Sequence, residues 1–154
     1  KLREQRPDTH ERIALSAGYR QFFIGADASL QIDYRYYADS WGIDSHTLEL
    51  GWAQHSPLGL VTPYLRYYSQ RQADFYNVIA STEMPHYADD YRLSSYGALT
   101  VGARWSIALG EQWTAQLEAE RYVSNNNWGL YDGEEAPALV DFWRTSINLT
   151  WRFD

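Results

Sequence analysis

Between Leu30 and Ala53 the chain changes chemistry at every second residue. Leu30, Ile32, Tyr34 and Tyr36 alternate with Gln31, Asp33, Arg35 and Tyr37, and further on His46, Leu48, Leu50 and Trp52 alternate with Thr47, Glu49, Gly51 and Ala53. Successive side chains of an extended strand point to opposite faces, so a period of two means two antiparallel strands, each with one polar and one apolar face. The polar faces carry full charges and the apolar faces are fringed with Tyr and Trp. Two physical solutions exist. In a soluble sandwich the polar face meets water and the apolar face a packed core. In a transmembrane barrel the apolar face meets lipid, the aromatics sit at the headgroups, and the charges line the lumen.

The same alternation recurs along the chain and predicts strands over 13–23, 29–37, 45–54, 60–70, 97–108, 113–123 and from 140 to the end. The fifth is the cleanest, with Leu99, Val101, Ala103, Trp105 and Ile107 set against Thr100, Gly102, Arg104 and Ser106. Pro63 cannot donate to a ladder, which predicts a bulge or irregularity near the start of the fourth strand. Residues 1–10 are polar and aperiodic and read as a loop.

The connections alternate in length, at about 4, 7, 5, 25, 4 and 16 residues, as the short turns and long external loops of a bacterial barrel do. A weak repeat marks the strand exits: Arg35-Tyr36-Tyr37, Arg66-Tyr67-Tyr68 and Arg121-Tyr122, two of them followed by Trp41-Gly42-Ile43 and Trp128-Gly129-Leu130. This pattern reads as one aromatic rim. The chain closes on an alternating strand ending Phe153-Asp154, close to the terminal aromatic common in outer-membrane barrels.

Composition narrows the choice. Aromatic residues make up 16% of the 154, with 7 Trp and 13 Tyr, a share suited to two interfacial girdles. Mean hydropathy is −0.54, and no apolar run approaches the ~20 residues of a membrane-crossing helix. A net charge of −7 without a basic run argues against a nucleic-acid partner, and the absence of Cys removes thiolate and disulfide chemistry. No leader is visible in the polar stretch from Lys1 to Arg6, so an exported protein would have lost one, or this is an internal piece of a longer chain.

Longer motifs add a family. Asp33-Tyr34-Arg35-Tyr36-Tyr37, Asp39-Ser40-Trp41-Gly42-Ile43, Ser45-His46-Thr47-Leu48, Arg66-Tyr67-Tyr68-Ser69-Gln70, Ala73-Asp74-Phe75-Tyr76 and Tyr91-Arg92-Leu93-Ser94 resemble the bacterial family known as domain of unknown function 3570, as do Arg6-Pro7-Asp8 and Leu139-Val140-Asp141-Phe142. The resemblance spans nearly the whole chain. It implies the C-terminal part of a Gram-negative outer-membrane β-barrel of several hundred residues. Genes of the family tend to lie near a small lipoprotein, a thioredoxin-like protein and a flavin transferase. The resemblance thus implies a tie to envelope redox or flavin-linked systems, without giving any residue a role.

The fold class expected is therefore all-β, an antiparallel transmembrane barrel with seven strands of a larger barrel present. The expected function is that of a porin-like pore or an assembly scaffold. Its partners would be the bilayer, lipopolysaccharide, a small lipoprotein, and strands from a missing N-terminal part or another chain. Residues expected to line the lumen are Asp33, Arg35, Glu49, Arg66, Arg104, Glu118, Glu120, Arg144 and Arg152; their mixed signs fit either a solute-selecting surface or a lumen closed by ion pairs. Interfacial aromatics are Tyr36, Trp52, Tyr67, Trp105, Trp113, Trp151 and Phe153.

The rival reading is a barrel enzyme acting on lipid. His46 falls on the apolar face near the outer rim, with Asp39 or Asp44 nearby, but the adjacent Ser45 points to the opposite face and cannot serve it as nucleophile without a bulge. Asp89-Asp90 and Asp132-Gly133-Glu134-Glu135 could bind Ca²⁺ in external loops, but the second lacks the spacing of a calcium loop and solvated acidic loops are the default; His10, His55 and His86 form no metal-ligand pattern. No residue is assigned a catalytic, cofactor or metal role. A third reading, a lipocalin-like binder, requires an apolar interior.

Overall fold

The computed structural model describes residues 7–78, 86 and 88–153. Asp154, residues 1–6 and the middle of the long fourth connection lie outside them. Seven strands form one sheet: β1 (Arg12–Phe23), β2 (Ala28–Asp39), β3 (Asp44–Ser56), β4 (Gly59–Gln70), β5 (Tyr96–Leu109), β6 (Trp113–Asn125) and β7 (Phe142–Trp151). Their order in space is their order in sequence, and every pairing is antiparallel. No α-helix occurs among the described residues, and the sheet is not closed: β1 and β7 have one neighbour each.

Strand positions follow the alternation because no helical period competes with it. Most strands run one or two residues beyond their expected ends. As a result 40–43 between β2 and β3 is no longer than 24–27 between β1 and β2, four residues each, and the long–short alternation holds only for the later pairs. β7 instead starts two residues late, at Phe142, because Asp141 is drawn back to accept the Ser124 N–H at 3.0 Å.

Of the bulge or irregularity expected at Pro63, the structure shows an irregularity and no bulge. The β3–β4 ladder pairs Gly51 with Tyr64 and Gln54 with Val61, the same register on both sides of a gap, so no residue is inserted. The missing donor of Pro63 simply interrupts that ladder, while Pro63 keeps its place opposite Ala103 on β5.

The register sorts side chains into two faces of opposite chemistry. Thr100 and Val101 are neighbours in central strand β5, yet Thr100 is 3% exposed and Val101 61%. On β7, Ile147 and Leu149 are likewise exposed. Large apolar groups of the strands thus lie in the open, and the polar face is the sheltered one. This is the reverse of a water-soluble sheet.

The hydrophobic cluster of buried residues lies at neither face. It sits at one end of the sheet, where Ile43 of the β2–β3 loop packs with Ala73, Phe75, Tyr76, Ala88 and Leu93 of the β4–β5 connection, against Tyr37 and Trp41. We call this end the rim.

Candidate functional site

Five strands, β3 to β7, bring their acids and bases together on the polar face because cross-strand partners are set by register. Glu49 stands opposite Arg66, Arg104 opposite Glu118, and Glu120 opposite Arg144. Glu49 is held by Arg66 at 2.7 Å and, two strands away, by Arg104 at 3.1 Å. Arg104 also reaches Glu118 at 3.2 Å, and Arg144 reaches Glu120 at 3.0 Å. Glu120 is 4% exposed, which only dense pairing permits.

Tyr64 is the hub of this network. Its hydroxyl donates toward Glu118 and Glu120, and the Arg104 guanidinium lies 4.1 Å over its ring. It reaches β6 by lying across Gly102 of β5, where a Cβ would strike the ring, so only glycine leaves the space. Six of the nine expected charged residues therefore meet in one network. Asp33 is held instead by both guanidinium contacts of Arg20 at 2.8 Å, Arg35 stands apart, and Arg152 is exposed beyond the end of β7. Tyr64 and Arg20 were missed from sequence. The available signal was glycine at both positions opposite Tyr64, Gly51 and Gly102.

The apolar face carries aromatics at both ends. Toward the short turns, Trp113 stacks on Trp151 with centroids 5.7 Å apart, Phe153 packs on Trp151, Phe23 packs on Trp52, and the Trp105 indole donates to the Leu58 carbonyl. Toward the rim stand Tyr36 and Tyr67, whose hydroxyls donate to Asp44 and to the Trp128 carbonyl. The Arg-Tyr repeat fails in its third copy. Arg35 and Arg66 share the polar face, but Arg121 is one residue out of phase and falls on the apolar one, where it pairs with Asp141 at 3.4 Å beside Trp143. A one-residue offset flips a strand residue to the other face.

Asp39, the last residue of β2, organises the rim. One carboxylate oxygen accepts the N–H groups of Trp41 and Ile43, and the other accepts from Tyr37 and bonds His10 at 2.7 Å. Burial opposes its charge, yet the bonds from His10, Tyr37, Ile43 and Trp41 outweigh that and hold the carboxyl below the usual range. His10 also stacks on Trp41 at 3.9 Å, so 7–11 is packed onto the rim. Gly42 takes φ +84° against the Asp74 carboxylate, which leaves no room for a Cβ.

The β6–β7 connection crosses the apolar side at the rim. The Leu130 N–H donates to Ser69, and the Tyr131 hydroxyl meets His46 Nε2 at 2.7 Å. His46 Nδ1 is bonded to Tyr34 at 2.7 Å, so tyrosines occupy both ring nitrogens, and no Ser–His–carboxylate arrangement is assembled there among the described residues. In the acidic loops, Asp90 holds Arg92 and Glu134 accepts the Val78 N–H.

No curated protein and no solved structure matches the chain. The strand motifs and rim residues above instead coincide with a family model that covers residues 1–141, and the chain belongs to that family, described as protein of unknown function (DUF3570).

Proposed function

We propose that this chain forms part of a bacterial outer-membrane β-barrel, with its polar face toward a lumen and its apolar face toward lipid, and that the barrel acts as a pore or assembly scaffold of the cell envelope. The observation that carries the reading is the inversion within β5, with Thr100 sheltered and Val101 open. Leaving so many Leu, Ile, Val and Trp side chains in water forgoes roughly 1.5–3 kcal/mol each, a loss that lipid contact removes. Aromatics at both ends of the apolar face suit two headgroup layers. On this reading the bilayer and lipopolysaccharide contact the apolar face, further strands cover the edges of β1 and β7, and a small lipoprotein is a candidate partner. The tie to envelope redox or flavin-linked systems belongs to the same proposal.

The test is reconstitution of the full protein in vesicles whose acyl chains carry bromine. Tryptophan emission is expected to be quenched strongly, since Trp52, Trp105, Trp113, Trp143 and Trp151 lie on the apolar face, and cell fractionation should place the protein in the outer membrane. Unquenched emission from folded protein overturns the reading.

A further inference from the structure

Along the strands the polar face carries six arginines, Arg12, Arg20, Arg35, Arg66, Arg104 and Arg144, and five carboxylates, Asp33, Asp39, Glu49, Glu118 and Glu120. Arg20, Arg66, Arg104 and Arg144 engage Asp33, Glu49, Glu118 and Glu120, while Asp39 is held by His10 and Tyr37 and Arg12 donates to His10. Arg35 is the one left over. Its two nearest carboxylates are already spoken for: Asp33, two residues earlier, by Arg20, and Glu49, diagonal on β3, by Arg66 and Arg104. No ion pair or hydrogen bond ties down the Arg35 side chain among the described residues.

Toward the short turns Arg35 borders Asp33 and Glu49, whereas across the sheet and toward the rim its surroundings are hydroxyls. Ser16 and Thr47 stand directly opposite it on β1 and β3. An open groove just below the rim is lined by Arg35, Tyr37, Ser45, Thr47 and Tyr68, with no carboxylate among them. The Tyr37 and Tyr68 hydroxyls donate to Asp39 and Gln70, leaving the Ser45 and Thr47 hydroxyls and the guanidinium N–H groups to face the groove. A guanidinium presents a planar fork of donors that matches an oxyanion in two-point fashion, and that of Arg35 is exposed and free to offer it.

We propose that Arg35, with Thr47 beside it, forms a binding site for a small oxyanion, a phosphate or carboxylate solute, at the rim-side mouth of the polar face. The site rests on the reading that this face lines a lumen, and it gives that lumen a solute class.

The experiment titrates inorganic phosphate into the full protein in detergent micelles, followed by phosphorus NMR line broadening, and compares Arg35→Gln and Arg35→Lys. Saturable binding is expected, about tenfold weaker in Arg35→Gln, with a partial return in Arg35→Lys, which keeps the charge but loses the fork. Binding of equal strength in wild type and Arg35→Gln overturns the site. So does an absence of binding together with loss of stability in Arg35→Gln, which would mean that a protein carboxylate from a covering strand is the oxyanion. Conductance across planar bilayers separates the two ideas. Arg35-dependent binding without conductance sinks the pore and keeps the site; conductance without phosphate binding does the reverse.

Discussion

Leu117 offers the sharpest test of which solvent the apolar face meets. It lies in β6, paired on both sides with Trp105 of β5 and Ile147 of β7, so edge effects do not enter. Four residues before it stands Trp113, and four after it Arg121, the two polar-tipped ends of the apolar stretch. At roughly 3.4 Å per residue the interval measures about 27 Å along the strand, and a tilt of about 40° reduces it to about 21 Å of thickness. Leu117 therefore sits about 10 Å from either interface, near the middle of an apolar band. Replacing it with arginine should cost about 2–4 kcal/mol in reversible folding into phospholipid vesicles, whereas Val123→Arg, at the rim end of the same strand, should cost about 0–1 kcal/mol. In water the same Leu117 is 37% exposed, and an arginine there would change stability by no more than about 0.5 kcal/mol. Urea titration of the vesicle-inserted protein reads the difference. A Leu117→Arg value within that half kilocalorie, or no gradient between the two positions, refutes the lipid-facing assignment.

Other perturbations address the polar network and the rim. Gly102→Ala forces a methyl group into the Tyr64 ring and should cost about 1–3 kcal/mol, seen as a lower urea midpoint together with a change in near-ultraviolet circular dichroism; an unchanged spectrum would mean the ring does not rest there. Tyr64→Phe removes a donor from two carboxylates, one of them buried, and should lower stability by about 1–3 kcal/mol with the strands intact. Gly42→Ala meets both a left-handed backbone and the Asp74 carboxylate; amide exchange at Ala73, Asp74 and Tyr76 should quicken while β5 and β6 stay protected. Because the folded Asp39 carboxyl lies below its ordinary value of about 3.9, its contribution to rim stability is complete above that pH and is lost as pH falls through the folded value. Trp41 emission should report that acid loosening, and Asp39→Asn should lack it.

Strands and faces were legible in the sequence because a period of two has one structural meaning over ten residues. Charged pairs followed as soon as register was known, since Glu49, Arg104 and Glu120 each stand opposite a charge of the other sign. What alternation cannot convey is reach. Arg104 passes over β4 to Glu49, and Tyr64 passes over β5 to β6, because an arginine or tyrosine side chain is longer than the spacing between strands. Nor can local pattern report the rim. Gly42 and Asp74 are distant in sequence and are brought together by the Asp74 N–H to Trp41 carbonyl bond at 2.9 Å and by the packing of Trp41 and Ile43 on Phe75, in loops with no period to read. The Arg-Tyr repeat marks strand exits and not faces: identical letters at Arg66 and Arg121 conceal a shift of one in strand phase.

The edges constrain what the proposed barrel must contain. β1 and β7 are both odd-numbered in an antiparallel series, so both run from the rim toward the short turns. Joining them to each other would make one parallel pair in a sheet that is otherwise antiparallel, and these strands do not pair. A second copy does not help, because two copies inserted in the same direction present edges that run the same way, whichever two are brought together. In lipid an uncovered edge leaves a row of N–H and C=O groups without partners, each costing several kcal/mol. On the barrel reading the strands that cover these edges must begin and end with ones running from the turns toward the rim, and so must be odd in number, which makes the total even. Cysteine pairs placed across the β1 edge, one at Gly18 and one on a candidate covering strand, would test this directly. Cross-linking between the Gly18→Cys sites of two copies, or between Gly18→Cys and Ser146→Cys of one chain, would refute it.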